Sequence, residues 1–367
     1  MSEALASDQK VSWQGANGAA GLTVRRVDPL VDDEQWDADL AECPGASFFH
    51  SAAWARTLHS AYGFTPGYFT LRDSGRLRAV LPMMEVDSWL TGRRGVSLPF
   101  TDECAPLCAD SDAFGHLYRA SLDYAKFRGW KHLEYRGGRP LFSGAPPASS
   151  SFLDHSLDLR AGETALFAGL DSTARRAVKK AERSNLSIEF SRDLEAVRAF
   201  HGLLRKTRKR HGVPPQPFRF FAAIHRHILS QNHGWVVLAR AGGVPVAGAV
   251  YFRFGKTVIY KYGASDDAFQ ELRPNNLVMW RAIQRHAQEG FETFDFGRTS
   301  LENEGLRRFK LAWGATERRI DYVRADPRTE AFAPAKKPSP AWTVRCLRIF
   351  PDPVLRLIGA ALYRHAA

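Results

Sequence analysis

The chain repeats a short turn pattern, and this repeat constrains its fold more than any other feature. The repeated frame is R-x-x-G-x-x-x-A, and it occurs at Arg72, Gly75 and Ala79 and again at Arg240, Gly243 and Ala247. In both copies two apolar runs flank a turn that contains glycine. Apolar runs on either side of such a turn predict a β-hairpin.

A second repeated pattern follows each hairpin. Gly129 and Gly290 each end a predicted helix and are followed by an aromatic residue, two further residues and a buried strand, in G-W-K-H-L-E-Y and G-F-E-T-F-D-F. Glycine just after a helix, before a strand, is typical of a helix-to-strand junction. Two patterns repeated in the same order and at similar spacing predict an internal duplication.

The second copy gives the clearer succession of elements. Residues 234–240, 244–254 and 257–264 read as three strands joined by tight turns. A helix from Pro274 to Gly290 follows, with proline near its start, and then a strand at 291–296. Several antiparallel strands, a helix and a returning strand predict an α+β fold built on a mixed sheet.

Length and charge restrict the class of protein. At 367 residues two domains are expected, and 44% hydrophobic with 25% charged residues is ordinary for a globular chain. A net charge of +12 favours a polyanionic partner such as nucleic acid, a phosphate-bearing substrate or an anionic membrane face. A generally basic proteome is the alternative.

The termini and cysteines bear on localisation. The N-terminal ten residues lack the apolar core of a signal peptide, and no apolar run reaches the roughly 20 residues that span a bilayer. The four cysteines are irregularly spaced, and Cys104 and Cys108 have no second pair to complete a zinc site. We therefore predict a cytoplasmic protein with reduced thiols and without a bound metal.

The ordered motifs of the second half resemble a known family. They are R-x-x-x-K-K-A-E at 175–182, Y-K-Y-G-A-S, P-N-N-L-V-M-W, F-D-F-G-R and G-L-R-R-F-K-L-A-W-G. Their order and spacing resemble those of the Fem-type aminoacyltransferases and of related acetyltransferases of exopolysaccharide systems. The resemblance covers roughly residues 25 to 325. It implies two GNAT-like (acyl-CoA N-acyltransferase) domains in tandem, with the chemistry near the second.

The resemblance also implies a role for one lysine. In this family a lysine in F-K-x-x-aromatic-G is linked to stabilising the reaction intermediate, and Lys310 is the matching position. Its charge, with Phe309 and Trp313 beside it, suits stabilisation of an oxyanion in a dry site. The alternative is a lysine lying along a helix surface. The long helical arm of many tRNA-using members is absent.

An acid in F-D-F-G-R is the second catalytic candidate. We place Asp295 at the end of a buried strand, with Gly297 and Arg298 in the loop that follows. Asp295 could take a proton from the attacking amine, orient Arg298 or cap the turn. Glu302 and Glu304 are alternative bases.

Several residues are candidates for substrate binding. Spacings of i, i+4 place Arg175, Arg176, Lys179 and Lys180 on a basic helical face suited to a diphosphate, although a solvated surface is the alternative. A CoA-binding loop of this fold normally carries glycines, whereas the stretch Q-E-L-R-P-N-N-L has none. It offers Arg273, Asn275 and Asn276 instead. The remaining predicted substrate-binding residues are Tyr262, Arg298 and Trp313.

These inferences combine into one hypothesis and two alternatives. The hypothesis is an acyl- or aminoacyltransferase acting on an amine of a peptidoglycan or exopolysaccharide precursor, with acyl-CoA or aminoacyl-tRNA as co-substrate and no tightly bound cofactor. The alternatives are an acyl-CoA-dependent N-acetyltransferase of a polysaccharide system and a non-catalytic RNA- or membrane-binding scaffold. Expected partners are a phosphate-bearing precursor, charged tRNA and the inner membrane as a peripheral contact; the oligomeric state is left open.

The predicted domain limits follow from composition and the repeat. Residues 1–20 are predicted to be a disordered tail, 21–150 the first GNAT-like domain and 151–325 the catalytic one. Residues 326–367 are predicted to be a proline-rich linker followed by an amphipathic C-terminal tail, which either lies on the membrane or packs on the catalytic domain.

Overall fold

The chain divides into two compact units. The computed structural model describes residues 12–14, 23–31, 33–74, 76–334 and 350–365. Unit 1 comprises Met1–Ser151, Ile320–Lys337 and Arg364–Ala367, and unit 2 comprises Phe152–Arg319 and Pro338–Tyr363. The predicted limit at residue 151 lies beside the first division, whereas residues 320–325, assigned by prediction to the catalytic domain, lie with unit 1. The domain limits remain a prediction.

Unit 1 combines antiparallel strands with one long helix. Its strands are Ser12–Gln14 (β1), Thr23–Val27 (β2), Thr65–Pro66 (β3), Tyr68–Asp73 (β4), Arg76–Leu81 (β5), Met84–Val86 (β6), Arg94–Val96 (β7), Leu107–Cys108 (β8) and Leu133–Arg136 (β9). Its helices are Asp33–Ala41 (α1), Ala52–Tyr62 (α2) and Ser111–Arg128 (α3). One sheet has the order β1-β2-β4-β5-β8, and β9-β7-β6-β3 are neighbours in a second.

Helix α3 forms the core of unit 1 together with the first sheet. The Asp110 side chain accepts a hydrogen bond from the Ala113 amide at its start, and Gly129 ends it in the left-handed conformation (φ 66°), as predicted. Leu117 and Tyr124 on the helix pack with Phe69 and other buried residues of the sheet. The chain then returns in β9, which pairs in parallel with β7.

Two strands, Ser150–Asp158 (β10) and Thr316–Ala325 (β16), cross the division between the units. The remaining strands of unit 2 are Leu186–Ser191 (β11), Gly234–Ala241 (β12), Val244–Phe254 (β13), Thr257–Ser265 (β14) and Thr293–Ser300 (β15). The helices are Glu163–Gly169 (α4), Ser172–Glu182 (α5), Leu194–His211 (α6), Phe218–Ile224 (α7), Pro274–Gln288 (α8), Glu304–Leu311 (α9) and Asp352–Leu362 (α10).

The sheet of unit 2 is mixed. Its strand order is β11-β12-β13-β14-β15-β10, and only β14 and β15 pair in parallel. Helix α8 connects these two strands and packs Val278 and Ile283 into the core with Phe294. Helix α6 contacts β13 and β14 as well. The predicted three-stranded meander and the helix after it are confirmed.

The duplication extends to an irregularity in pairing. In the first hairpin, Leu71 pairs with Ala79 and Arg72 with Leu77, which leaves one residue unmatched on β5. In the second hairpin, Ala239 pairs with Ala247 and Arg240 with Pro245. The repeated R-x-x-G-x-x-x-A frame thus encodes the same β-bulge twice, because bulge position is set by the turn and its flanking residues. The predicted α+β tandem duplication is confirmed, although Gly75 itself lies outside the described residues.

Two predictions about the ends of the chain need correction or lie outside the structure. Ser12–Gln14 pairs with Thr23–Arg25 as β1, so the prediction of a disordered tail is wrong for these three residues. The rest of 1–20 lies outside the described residues. So does most of the predicted linker, at 335–349, whereas the predicted amphipathic segment forms α10.

Candidate active site

The sheet of unit 2 opens between β14 and β15. The two strands pair only from Thr257 with Thr293 to Ile259 with Asp295, after which each continues for several residues without the other. Both strands carry a β-bulge close to the point where they part, at Lys261 on β14 and near Gly297 on β15. Bulges bend strands and re-aim their side chains, so the gap is built into both strands.

A narrow slot lies beside this opening. It has a volume of about 230 Å³. Its lining includes the small residues Gly248, Ala249, Gly263 and Ala264, and also Thr207, Arg210, Tyr251, Tyr260, Ser265, Asn275, Val278, Met279 and Phe309. Small side chains on two adjacent strands leave room that larger residues would fill. The slot is therefore a space for a slender group, and polar and apolar side chains both line it.

Two tyrosines that line the slot have raised pKa values. Desolvation raises the pKa of Tyr260 to about 12 and raises the pKa of Tyr251 well above its usual value. The Tyr251 hydroxyl is buried and has no hydrogen-bond partner among the described residues. A buried hydroxyl without a partner carries a desolvation penalty. The Tyr251 hydroxyl is closed off from the slot, whereas the Tyr260 hydroxyl lies against Gly263 of its lining.

A larger, basic cavity adjoins the slot, and Phe309 lines both. Its volume is about 760 Å³. It is lined by α5 along most of its length, by the start of α8 and by α9. The lining residues are Asp171, Thr173, Ala174, Arg176, Ala177, Lys180, Arg273, Asn276, Gly305, Arg308, Phe309, Ala312 and Trp313. A cavity of this size holds a ligand as large as a nucleotide.

The charge of this cavity is strongly positive. Arg176, Arg273 and Arg308 line it, and no carboxylate in the described part of the chain lies within salt-bridge distance of any of the three. Lys180 is bound to Glu271 at 3.1 Å, and the Asp171 carboxylate accepts from the Ala174 amide as the cap of α5. Unpaired guanidinium groups beside a helix N-terminus favour phosphate oxygens.

Lys310 is buried beneath this face of α9. Only 2% of the residue is exposed, and its ammonium donates to the carbonyl oxygens of Gly297 at 2.5 Å and Arg298 at 3.2 Å. Gly297 adopts φ 69°, a conformation that glycine tolerates readily, at the bulge of β15. The ammonium thus fastens α9 to the part of β15 that has left β14. Lys310 lines neither cavity, and a direct contact with substrate remains a prediction.

Asp295 lies within a strand and not at its end. The prediction that Asp295, Gly297 and Arg298 enter a loop is wrong, because β15 runs from Thr293 to Ser300. The Asp295 carboxylate accepts a hydrogen bond from the Gly297 amide at 2.6 Å, which is the turn-capping alternative. It lines neither cavity, so a role in proton transfer stays a prediction.

A buried histidine connects the lysine to a salt bridge. His155 is fully buried, and its Nε2 lies 3.0 Å from Glu317, which also forms two hydrogen bonds with Arg307. Burial, followed by the charge of Lys310, lowers the pKa of His155. A neutral imidazole adds no second positive charge beside the lysine. Sequence reasoning did not find this residue, since a lone histidine in a strand carries no motif.

The structure brings six of the ten predicted substrate-binding residues to the two cavities. Those that line the basic cavity are Arg176, Lys180, Arg273, Asn276 and Trp313, and Asn275 lines the slot. The others line neither of the two cavities: Arg175 and Lys179 lie on another face of α5, Tyr262 packs on Phe220 and Phe221, and Arg298 stacks on Phe152.

Sequence reasoning missed most of the lining, and four of the missed polar residues show why. They are Thr207, Arg210, Ser265 and Arg308. Arg308 had a signal, because Gly305, Arg308 and Ala312 follow one another at helical spacing and so share a face. Thr207 and Arg210 come from α6 and Ser265 from β14, and only the folded structure brings these elements to the slot.

The described residues contain neither a metal-binding cluster nor a membrane-spanning helix. No group of three His, Cys, Asp or Glu side chains there is arranged to hold a metal ion. Among the helices described, none combines the length and the apolar character that crossing a bilayer requires.

Comparison with known proteins bears out the resemblance. The family model described as acetyltransferase (GNAT) domain matches residues 170–311, which contain both cavities except for Ala312 and Trp313. Lipid II:glycine glycyltransferase of Staphylococcus aureus (strain USA300) is 32% identical over 95 residues. The predicted resemblance is confirmed. The aligned part is 23% of this chain and 23% of that protein, so the chain spans about a quarter of the curated relatives it matches.

Solved structures share the fold across most of the chain. The structure of FemX superposes with a TM-score of 0.65 at 13% identity and covers 78% of this chain and 95% of that one. A tandem GNAT protein from the clavulanic acid biosynthesis pathway gives 0.54 at 12% identity, over 87% and 100%. L-PGS from Bacillus licheniformis gives 0.53 at 16% identity, over 90% and 98%. The fold is that of a tandem GNAT protein.

Proposed function

We propose that this protein transfers an acyl or aminoacyl group to an amine of a phosphate-bearing cell-envelope precursor in the cytoplasm. The observation that carries the proposal is the meeting of two unlike cavities at Phe309, a slender slot and a wide basic cavity. The slot suits the group that is transferred, and the basic cavity suits the phosphates of a substrate. The resemblance to a lipid II glycyltransferase supports this class of reaction.

The slot can hold the reacting carbonyl away from water. Acyl transfer places negative charge on the carbonyl oxygen, and donors in a dry site stabilise it. The protonated hydroxyl of Tyr260 is one such donor, because it lies against Gly263 in the lining of the slot. The buried charge of Lys310 adds positive potential from behind α9, so in this proposal Lys310 is a positioning residue.

The entrance to α8 argues for a donor other than CoA. Pro274 has no amide hydrogen, and the amides of Asn276 and Leu277 both donate to the Arg273 carbonyl. The segment just before α8 also contains Asp266 and Asp267, which form salt bridges with Lys206 and Arg210. A pyrophosphate would meet few available amides and two carboxylates. An aminoacyl-tRNA is therefore the preferred donor.

Acyl-CoA is the second candidate donor. The match to the acetyltransferase (GNAT) domain model over residues 170–311 favours it. In that case the nucleotide would lie against the basic cavity, where Arg176, Arg273 and Arg308 replace the usual backbone amides. The acceptor would then be an amine of an exopolysaccharide or its precursor.

One experiment separates these possibilities. The purified chain is incubated with lipid-linked or nucleotide-linked peptidoglycan precursors and with either mixed aminoacyl-tRNA or a series of acyl-CoA esters, and the acceptors are analysed by mass spectrometry. A fixed added mass that requires tRNA supports the preferred donor. The same mass with acyl-CoA supports the second candidate. Absence of any adduct in every combination, with binding of precursor retained, would indicate a scaffold.

A further inference from the structure

The outer face of helix α10 is apolar and faces solvent. Val354, Leu357 and Leu362 are 36%, 72% and 44% exposed, and Phe350, just before the helix, is 42% exposed. Val354 and Leu357 are three residues apart and share one side of the helix. Together with Phe350 they form an exposed apolar stripe, whereas Leu362, five residues beyond Leu357, lies on a different side.

The opposite face of α10 holds the helix firmly on unit 2. Leu355 is fully buried, and a Cβ at Gly359 would lie 2.1 Å from the carbonyl oxygen of Pro215, so only glycine fits there. The Tyr363 hydroxyl donates to the Pro214 carbonyl at 3.1 Å. Asp352 pairs with Arg205 on α6. The exposed stripe is thus presented by a helix that is fixed in place.

Two cations lie on or against α10. Arg356 lies on α10 itself and is exposed, and Arg219 donates to the Ala360 carbonyl at 3.3 Å. Lys209 and Arg208 act on Asp352 and Tyr363, which belong to the side of α10 that packs on unit 2. The helix has one carboxylate, Asp352, and Arg205 neutralises it.

We infer that α10 docks unit 2 onto an anionic lipid surface, with Phe350, Val354 and Leu357 inserted among the acyl chains and with Arg356 and Arg219 on the headgroups. An exposed apolar side with Arg356 and Arg219 beside it matches the interface of a membrane that carries negative charge. A protein partner would require carboxylates opposite these two arginines. The inference rests on the proposed function only in that a lipid-borne acceptor would reach the cavities from that surface.

Vesicle binding tests the inference. Co-sedimentation of the full chain is measured with vesicles of phosphatidylcholine alone and with vesicles containing a quarter phosphatidylglycerol, at low and at high salt. Leu357→Glu is expected to weaken partition into the anionic vesicles about tenfold or more, and Arg356→Ala by about fivefold, the latter only at low salt. Val244→Glu is the matched control, since Val244 is 55% exposed on the turn between β12 and β13.

Each outcome decides. Binding to anionic vesicles that falls in Leu357→Glu and not in Val244→Glu supports docking through α10. No binding, or equal losses in both variants, overturns it, and concentration-dependent self-association that Leu357→Glu abolishes would assign the stripe to a second copy instead. Transfer to a water-soluble, nucleotide-linked acceptor is measured in parallel. If the unmodified chain transfers nothing to this acceptor, the proposed function is contradicted, and the lipid result is unaffected.

Discussion

The Lys310 ammonium donates a hydrogen bond to the Gly297 carbonyl at 2.5 Å, across the gap that β15 leaves when it parts from β14. A second bond reaches the Arg298 carbonyl. These two hydrogen bonds explain why a lysine lies on the buried side of the short basic helix α9. The ammonium provides a donor for two carbonyl oxygens of β15 beyond the point where this strand pairs with β14. It also holds α9 in place, and with it Arg308 and Phe309, which line the cavities.

Replacement of Lys310 by methionine tests this positioning role. Two buried carbonyls would lose their donor, and each unsatisfied group costs about 1–3 kcal/mol. We expect the free energy of unfolding to fall by roughly 2–4 kcal/mol and transfer to fall about 100-fold or more. Urea denaturation and single-turnover transfer measure the two effects.

Lys256→Met is the matched control for Lys310→Met. Lys256 also donates to a carbonyl, that of Gly290 at 3.3 Å, but it is exposed, so its loss is expected to change stability by less than about 0.5 kcal/mol. Unchanged stability of Lys310→Met together with a 100-fold loss of transfer would contradict positioning. It would mean that the ammonium acts on the substrate itself.

Charge reversal in the basic cavity tests its role in phosphate binding. Arg308→Glu removes one of three guanidinium groups without a carboxylate partner and adds a negative charge. We expect KM for the phosphate-bearing substrate to rise at least tenfold, with a weaker salt dependence, since bonds to charged groups contribute about 1.5–3 kcal/mol. Arg183→Glu is the control, because Arg183 is exposed at the end of α5 and lines neither cavity. An equal effect in both variants would point to general electrostatic attraction.

The repeat in the sequence predicted most of the fold. The frame at Arg72 and Arg240 corresponds to the same bulge in two hairpins, and Gly129 and Gly290 end their helices with positive φ. Such local signals survive folding because glycine conformations and turn lengths are set by a few neighbouring residues. Part of the basic cavity could be predicted for the same reason, because Arg176 and Lys180 lie one helical turn apart.

The rest depended on contacts between distant elements. Burial of Ala174, Val178 and Ala181 fixes the rotation of α5, which brings Arg176 and Lys180 to the cavity and turns Arg175 and Lys179 away. Tyr262 was misplaced because the bulge at Lys261 breaks the alternation of β14. Tyr260 therefore faces the slot, and Tyr262 faces Phe221. No pattern in the sequence announces an inserted residue of this kind.

Narrowing the slot should affect the donor alone. Ala264 lines the slot and is buried, so Ala264→Val places two methyl groups in a space of about 230 Å³. We expect KM for the acyl or aminoacyl donor to rise tenfold or more, while equilibrium binding of the phosphate-bearing acceptor is unchanged. Ala239→Val is the control, because Ala239 is equally buried in β12 and lines neither cavity. Loss of both substrates in Ala264→Val would indicate general disruption of the sheet.

Acid should destabilise the protein through its buried histidines, above all His286. Burial among Tyr251, Phe291 and Phe294 lowers the pKa of His286 from 6.5 to about 4. The unfolded chain therefore takes up a proton near pH 6.5 that the folded chain refuses until about pH 4. This contribution is complete above pH 6.5 and is lost as the pH falls, by on the order of 3 kcal/mol. In urea denaturation from pH 7 to 4.5, His286→Phe should show a shallower decline than the parent chain, whereas His116→Gln on the surface of α3 should not. Parallel declines in all three proteins would assign the acid sensitivity to the carboxylates of the surface ion pairs.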